Sequence, residues 1–167
     1  QFQVDVINSG KLRRTPLGAT LGFTKNDRET NVRRHALAAK LLMQNNVIAI
    51  VSAVSPYRTD REAIREDLQQ YVEVYVATPP SLCEQRDRTG NWERAKRGEI
   101  ENFTGYSGPY EAPESAEITV SLEASTIEVA SQKIISYLQE HNWITKQKSK
   151  TDSIEEIAKQ LQLLGYK

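Results

Sequence analysis

The sequence has one cysteine, no net charge and no long apolar run. A single cysteine, Cys83, leaves no internal disulfide and argues against a disulfide-rich secreted module. Lys plus Arg and Asp plus Glu number 22 each, so the chain lacks the basic excess expected for non-specific nucleic-acid or membrane binding. No apolar run is long enough to span a bilayer, and no signal peptide is recognisable. These absences predict a cytoplasmic protein with neither a nucleic-acid nor a membrane partner.

Histidine is nearly as scarce as cysteine. The two histidines, His35 and His141, stand outside any recognisable motif. A catalytic thiol needs a histidine nearby, so Cys83 is predicted to be a small buried residue rather than a nucleophile. Two histidines and one cysteine also give no zinc-site spacing. We therefore expect no metal-binding residues in this chain.

The 167 residues suit one domain, and their apolar pattern favours an α/β fold. Residues 1–7 alternate as in a strand, and residues 47–54 form an apolar run typical of a strand buried on both faces. Further strands are predicted at residues 71–77 and 117–122, and helices at 27–45, 59–70, 79–85, 92–97 and 126–140. The predicted inward-facing helix residues are Val32, Ala36, Ala39, Met43, Ala63, Leu68, Ile127, Ala130, Ile134 and Leu138. Strands separated by helices indicate a mainly parallel sheet, whose ligands bind at the carboxyl ends of the strands.

The C-terminal segment differs in character from the rest. Residues 145–152 are a polar linker, and residues 153–165 are predicted to form an amphipathic helix behind the capping pair Ser153 and Glu156. The helix either packs on the surface of the domain at residues 1–144 or binds a protein partner, including a second copy of the chain.

Several polar residues fall where an anion would bind. Arg28 and Asn31 are three apart near the start of a predicted helix, and both a helix amino terminus and a guanidinium favour an anion. Arg94 and Arg97 are also three apart on one helical face, so both can point toward a phosphate. Arg86 either reaches a nucleotide phosphate or forms a surface ion pair with Asp87 or Glu84.

Four segments together resemble the adenylylsulfate (APS) kinase family. They are LGFTKNDRETNVRR at residues 21–34, VSAVSPY at 51–57, CEQRD at 83–87 and RAKRGEIENFTGYSGPYE at 94–111, and the resemblance runs from about residue 10 to residue 144. It implies a three-layer P-loop-kinase-like fold with a mainly parallel sheet, here with the N-terminal part truncated or incomplete. An active family member would move the γ-phosphate of ATP to the 3′-hydroxyl of APS, with Mg²⁺.

The resemblance also implies which residues contact the nucleotide. Phe23 and Phe103 are expected to hold the adenine between their rings, and the other substrate contacts are expected from Arg14, Arg28, Asn31 and Val54. Ser55 matches the serine of the family's ISPY segment, and Ser55 and Lys11 are the candidate catalytic residues. Arg86, Arg94 and Arg97 are the expected nucleotide and lid residues. The alternatives are a solvated amphipathic helix with Phe23 in the core, and Phe103 as a hydrophobic anchor of its loop.

The sequence departs from the family where phosphate and metal are handled. The phosphate-loop pattern G-x-x-x-x-G-K-[ST] does not occur in the printed chain. In an ungapped comparison the family's DGDxxR motif aligns with residues 9–14. Ser9 and Lys11 stand in place of the two aspartates, while Gly10 and Arg14 match the motif. Thr89 stands at the position of the lysine in the family's KGLY motif. The lysine that precedes FTG in the family is also replaced, in the pair Glu101-Asn102.

A second alignment treats residues 8–11 as a shortened phosphate loop and residues 1–7 as the family's central first strand. The family's sheet order is 2-3-1-4-5, and loss of a central strand would leave unpaired backbone groups that cost roughly 1–3 kcal/mol each if buried. Packing therefore favours this second alignment, while motif spacing favours the first, which is the ungapped comparison of DGDxxR with residues 9–14. Residues missing from the printed sequence are a third explanation.

Three functions are compatible with these observations. The first is a degenerate relative, a pseudoenzyme, that binds APS, its 3′-phosphorylated product PAPS, or ADP or ATP without efficient phosphoryl transfer and without cofactors. The second is an active APS kinase that uses ATP and Mg²⁺ and whose phosphate loop lies outside the printed sequence. The third is an interaction module that uses the helix at residues 153–165 and binds no ligand.

Overall fold

The structure, a computed structural model, describes residues 3–144. The elements of this part are β1 (Gln3–Asn8), α1 (Ser9–Leu12), α2 (Lys25–Met43), β2 (Val47–Ser52), α3 (Arg58–Asp67), β3 (Val74–Val76), α4 (Pro80–Gln85), α5 (Asn91–Lys96), β4 (Ile118–Val120) and α6 (Ile127–Glu140). The predicted alternation of strands and helices is therefore confirmed. The linker and tail helix predicted at residues 145–165 lie outside the described residues, as do Gln1 and Phe2, so the domain limits stay a prediction.

Local chemistry explains where the helices begin and end. Thr24 and Asp27 form a capping box at the start of α2, in which the Thr24 hydroxyl accepts from the Asp27 amide at 3.2 Å and the Asp27 carboxylate accepts from the Thr24 amide at 3.3 Å. The hydrogen bond from the Thr24 side chain lowers the pKa of Asp27. Pro80 occupies the first turn of α4, where its missing amide hydrogen is not needed. Gly98, at φ 76°, follows α5 in the left-handed conformation.

The strands form two separate parallel pairs rather than one sheet. Within the described residues, β1 pairs with β2 from Gln3 opposite Val47 to Asn8 opposite Ser52, and β3 pairs with β4 from Val74 opposite Ile118 to Val76 opposite Val120. The second alignment requires β1 to pair with β3 as well as with β2. No such pairing exists in this part of the chain, so the observed order agrees with the first alignment.

The core lies beside α2 and around β4. The side chains of Val32, Ala36 and Ala39 are buried on the face of α2 that packs against β1 and β2, as predicted. Ile118 and Val120 of β4 are also buried, at 2% and 8% exposure. The other buried apolar residues include Ile7, Pro56, Tyr57, Leu68, Ala95, Ile100 and Ala130.

Several burial predictions are wrong. The run at residues 47–54 is not buried on both faces, because Ile50, Val51 and Val54 are 50%, 42% and 55% exposed. In β1 the buried residue is Ile7, whereas Val4 and Val6 are more than half exposed. An apolar run is buried only where another element covers it, and the described residues leave the outer edge of β2 uncovered.

Some single-residue predictions fail for the same reason. Ala63 of α3 and Ile127, in the first turn of α6, are exposed, and the buried residue of α3 is Arg61. Cys83 is exposed rather than buried, and its thiol lies 3.7 Å from the Thr78 carbonyl oxygen.

Paired charges hold α3 to β3 and β4. Arg61 is buried, and its Nε lies 2.7 Å from the Glu73 carboxylate in an ion pair that lacks the geometry of a hydrogen bond. Arg65 donates to Glu117 at 2.9 Å, and the Glu117 carboxylate also accepts from the Glu73 amide at 2.7 Å. This network, defined by Arg61, Arg65, Glu73 and Glu117, positions the amino-terminal ends of β3 and β4.

The chain divides into two compact units, Gln1–Ser131 and Gln132–Lys167, with the boundary inside α6. The functional residues predicted from the sequence all lie in the first unit. In the second unit the structure describes residues 132–144, where the rings of Tyr137 and His141 stack at 3.9 Å between centroids. Within residues 3–144, no helix has the length and hydrophobicity needed to cross a bilayer.

Candidate nucleotide site

The carboxyl end of β1 leads directly into the site. Asn8 caps the short helix α1 by accepting from the Lys11 amide at 3.0 Å. Asn31 of α2 donates from Nδ2 to the Ser9 hydroxyl at 2.9 Å, so the first turns of α2 are fastened to α1. The predicted residues Lys11 and Arg14 lie on this segment, and both side chains are exposed.

Phe23 lies against two guanidinium groups. The Arg13 guanidinium carbon is 4.1 Å from the centroid of the Phe23 ring, and that of Arg28 is 5.5 Å from it. Arg13 also donates to the carbonyl oxygens of Leu21 and Gly22 at 2.7 and 2.8 Å. Phe23 is thus a half-buried ring in a cationic setting rather than a core residue.

Arg28 joins the Phe23 loop to the Phe103 loop. Its Nε donates to the Phe23 carbonyl oxygen at 3.3 Å, and its Nη2 donates to the Asn102 carbonyl oxygen at 2.7 Å. Burial lowers the pKa of Arg28, and the neighbouring Arg13 lowers that pKa further, while Tyr57 opposes the shift. Two positively charged groups therefore lie close together beside Phe23, which favours an anionic ligand.

Phe103 sits in a tight loop that closes on itself. The Phe103 carbonyl oxygen accepts from the Gly108 amide at 2.8 Å, and its ring meets Trp92 edge-on, with centroids 5.3 Å apart. A Cβ on Gly108 would lie 2.4 Å from the Asn102 carbonyl oxygen, so this loop excludes a larger residue there. The Phe103 ring therefore contacts Trp92 and is half-buried, which is compatible with either predicted role.

The remaining predicted phosphate contacts have partners within the protein. Arg94 and Arg97 come together as expected, but both bind Glu99, at 3.2 and 2.6 Å. The hydrogen bond from Arg97, followed by that from Arg94, lowers the pKa of Glu99. Arg86 pairs with neither Asp87 nor Glu84 and instead donates to the Leu122 carbonyl oxygen at 3.2 Å.

Val54 and Ser55 lie just beyond the carboxyl end of β2. Val54 is 55% exposed. Ser55 adopts a φ of 40°, which is uncommon for a residue with a side chain, and its carbonyl oxygen accepts from Arg61 at 2.7 Å. Pro56 is fully buried, and its carbonyl oxygen accepts from the Glu111 amide at 2.8 Å. The turn after β2 is therefore held in one conformation at the edge where ligands of parallel sheets bind.

The two positions that match the family's aspartates offer no carboxylate to a Mg²⁺ ion. Mg²⁺ is usually held through one or two carboxylates together with substrate phosphates. The positions that match the family's aspartates are Ser9, which binds Asn31, and Lys11, whose ammonium repels a cation. Within residues 3–144, no three His, Cys, Asp or Glu side chains form a group able to hold a metal ion.

Sequence reasoning missed two residues of the site. The motif match points to Arg14 and not to its neighbour Arg13, and the adjacent positions give no local signal that separates them. For Trp92 the sequence predicts only a place in a short helix. Its role depends on Phe103, eleven positions later, and Gly105, whose added Cβ would lie 3.1 Å from the Trp92 ring.

Comparison with known proteins agrees with this architecture. The family model described as adenylylsulphate kinase matches residues 2–121. The chain is 44% identical over 135 residues to the adenylyl-sulfate kinase of Halothermothrix orenii, covering 81% of this chain and 73% of that protein. It is 43% identical over 145 residues to the enzyme of Rippkaea orientalis, covering 87% and 80% of the two chains.

A solved structure gives the same result for the fold. The Mycobacterium tuberculosis APS kinase in complex with AMPPNP and APS superposes with a TM-score of 0.77 at 32% identity, covering 83% of this chain and 81% of that one. The predicted P-loop-kinase-like α/β fold with parallel strands is therefore confirmed. The matches in sequence and in structure agree, and this chain belongs to the adenylylsulfate kinase family.

Proposed function

We propose that the cluster of Arg13, Phe23, Arg28, Asn31 and Phe103 binds the adenylyl part of an APS-type nucleotide. The contact of Arg28 with both the Phe23 and the Asn102 carbonyl oxygens carries this proposal. This contact links the two loops that carry Phe23 and Phe103, although they are far apart in sequence, and so supports a shared site. A ring on each loop, the Arg28 guanidinium between the loops and the Arg13 guanidinium against Phe23 suit a purine attached to an anion.

Phosphoryl transfer is the part of the family's activity that these residues support least. Transfer needs dense positive charge, usually with a metal ion, around the moving phosphate. Here Ser9 and Lys11 replace the two aspartates, and Arg94 and Arg97 share one counter-charge, the Glu99 carboxylate, which cancels half of their positive charge. We therefore propose that residues 3–144 bind APS, PAPS, ADP or ATP, and that transfer from ATP to APS by these residues alone is impaired.

An active kinase is the second candidate, and the 44% identity to a curated adenylyl-sulfate kinase favours it. Such an enzyme would draw its phosphate loop and metal ligands from outside residues 3–144. A coupled assay of ATP consumption with APS and Mg²⁺ separates the two candidates. Turnover comparable to an authentic APS kinase would refute impairment, whereas nucleotide binding without turnover supports the first proposal.

The central test is the loss of Arg28. Arg28→Ala removes a charged donor from both carbonyl oxygens, and hydrogen bonds to charged groups contribute about 1.5–3 kcal/mol, so APS affinity should fall about tenfold or more. Calorimetric titration with APS measures the change. Arg33→Ala is the matched control, because Arg33 lies on the same helix and pairs with Glu29 on the surface. Equal affinities for the two variants would rule out the site.

A second test concerns the Phe103 ring. Base–aromatic stacking contributes about 1–3 kcal/mol, so Phe103→Ala should weaken APS binding about tenfold or more. Tyr106→Ala is the control, since Tyr106 lies in the same loop and is 53% exposed. Unchanged affinity after loss of the Phe103 ring, with the fold intact by circular dichroism, would mean that Phe103 only anchors its loop against Trp92.

Other properties stay predictions. A cytoplasmic location follows from composition alone. Association through the helix at residues 153–165, with a protein partner or as a homodimer, concerns residues that the structure does not describe. Analytical ultracentrifugation of the chain with and without residues 153–165 would measure this association.

A further inference from the structure

His35 is a titratable side chain buried in the core face of α2. It is 2% exposed, and neither of its ring nitrogens has a hydrogen-bond partner within residues 3–144. The other buried residues of the helix are Val32, Ala36 and Ala39, which form the apolar face that packs against β1 and β2. A neutral imidazole can occupy such a place, whereas an imidazolium there would carry a charge and two ring donors without an acceptor.

In the part of the chain that the structure describes, the elements packed against α2 supply no charge that would offset an imidazolium. The strand β2 contains no titratable residue, and β1 contains only Asp5, which is exposed. On α3, Asp60 lies in the surface groove between the two helices, and Asp67 forms an ion pair with Lys40. The other titratable groups of α1, α3 and the turn before α3 are Lys11, Tyr57, Arg58, Arg61, Glu62, Arg65 and Glu66. Burial alone lowers the pKa of His35, so none of these groups acts measurably on the ring.

His35 lies on the same face of α2 as two residues of the candidate nucleotide site. Asn31 is four positions before it and Arg28 is seven, so the three side chains follow one another on successive turns. Asn31 donates to the Ser9 hydroxyl at 2.9 Å, and Arg28 donates to the Asn102 carbonyl oxygen at 2.7 Å. Both hydrogen bonds depend on the position of the first turns of α2, and the packing around His35 holds the helix in that position.

We propose that protonation of His35 releases the first half of α2 from β1 and β2 and thereby prevents nucleotide binding in acid. This inference rests on the nucleotide site proposed above. Water solvates an imidazolium far better than an apolar face does, so the protonated ring favours a conformation in which this part of α2 has moved away from the strands. Asn31 and Arg28 move with the helix and lose their contacts with Ser9 and Asn102. The proton then inhibits binding through α2, without contacting the nucleotide.

Thermodynamic linkage makes this coupling reciprocal. If the proton weakens nucleotide binding, a bound nucleotide holds α2 on the strands and must lower the pKa of His35 below its value in the free protein. A purely structural role for His35 predicts a loss of stability in acid, but it predicts the same pKa with and without nucleotide. The difference between these two pKa values therefore distinguishes the coupling from a contribution to stability alone.

Nuclear magnetic resonance measures both pKa values. His141→Gln leaves His35 as the single histidine, and its ring is titrated from pH 8 to pH 5 with and without saturating APS. APS suits this test because its phosphate and sulfate groups are ionised throughout the range. The pKa of His35 should be lower with APS than without it. Equal values would overturn the proposal, and so would a ring that stays neutral until the whole chain unfolds.

Calorimetric titration with APS over the same pH range measures the consequence for binding. The affinity should fall by up to about tenfold per pH unit below the pKa of His35 in the free protein, because one proton opposes one nucleotide. His35→Leu keeps an apolar side chain in the core face and should bind APS with an affinity that does not change with pH. His141→Gln is the matched control, since His141 is exposed and its loss should leave the pH dependence as it was.

The outcomes separate this inference from the proposed function. Equal pH profiles of APS affinity for the unchanged chain and for His35→Leu would overturn the coupling and leave the nucleotide site in place. An absence of heat with APS at pH 8 would refute the nucleotide site and the coupling with it. Circular dichroism at pH 8 shows whether His35→Leu is folded, and if it is not, the ring titration of the His141→Gln chain decides, because that chain retains His35.

Discussion

The strands β3 and β4 lie beside buried charges that are paired, whereas β1 and β2 lie beside a buried histidine that is not. Arg61 is 6% exposed and faces Glu73, while His35 of α2 is 2% exposed and neither of its ring nitrogens has a hydrogen-bond partner among the described residues. The β3–β4 region is therefore held by specific electrostatic contacts. The β1–β2 region depends on apolar packing against α2, and its open edge is exposed.

This difference teaches that two regions of one chain can be stabilised in different ways, one by paired buried charges and the other by apolar packing. Removal of one partner of a buried ion pair strongly lowers the unfolding free energy, because an isolated buried charge is costly. Apolar packing loses stability gradually as cover is removed. Four predictions test the contrast in order of decreasing expected effect, and the last two concern acid.

The largest effect is expected from Glu73→Gln. This change leaves the buried Arg61 guanidinium without its counter-charge, and breaking a buried pair costs about 3–5 kcal/mol of unfolding free energy. Urea unfolding followed by circular dichroism measures the loss. Glu114→Gln removes the partner of Arg58 at the surface, where Glu114 is 75% exposed, and should cost about 0–1 kcal/mol. Similar losses for both variants would show that burial does not govern these pairs.

A smaller effect is expected from shortening a buried strand residue. Ile118→Ala in β4 removes a side chain that is 2% exposed and should cost about 2–5 kcal/mol. Ile50→Ala in β2 removes a side chain that is 50% exposed and should cost half of that amount or less. Thermal unfolding of the two variants compares the regions directly. A larger loss for Ile50→Ala would mean that β2 is covered in solution.

The smallest effects are expected for the change of unfolding free energy in acid. Burial lowers the pKa of His35 below its ordinary value of 6.5, so the unfolded chain binds the proton more readily. The stability that the neutral ring contributes above pH 6.5 should be lost as the pH falls through the lower folded-state pKa. His35→Leu should remove this dependence, and the exposed His141→Gln should not. Unfolding free energies measured between pH 7 and 5 check both variants, and identical pH profiles would contradict the assignment.

The region of β3 and β4, which is held by ion pairs, should lose stability at a lower pH than the region of α2. The hydrogen bond from Arg65 lowers the pKa of Glu117 below its ordinary value of 4.5, so its contribution is present above pH 4.5 and is lost as the pH falls through the lower folded-state pKa. Hydrogen exchange during acidification should therefore show protection lost first in α2 and only later in β3 and β4.

Sequence reasoning was most successful where structure is local. Helix limits near Pro80 and Gly98 were predicted within a residue or two, because proline and glycine restrict the backbone at their own positions. It was least successful for burial. The run at residues 47–54 has the composition of a central strand, yet whether a strand is central depends on neighbours that its own residues do not specify.

The candidate site shows the same division. The motifs pointed to Phe23, Arg28 and Phe103, but not to Arg13 or Trp92, whose importance comes only from the rings they touch. Arg94 and Arg97 were correctly placed together. Their common partner Glu99 was not predicted, because a helical spacing indicates a shared face without indicating what that face meets.

The sequence by itself determined the order of strands and helices, the parallel α/β class and the family, since backbone preferences and motifs are properties of short segments. Only the tertiary structure decided that Arg28 meets Asn102, 74 positions away, and that the four strands found within residues 3–144 pair as β1 with β2 and β3 with β4. The physical reason is that a side chain's partner and a strand's neighbour are chosen among distant parts of the chain, by burial and charge acting in three dimensions.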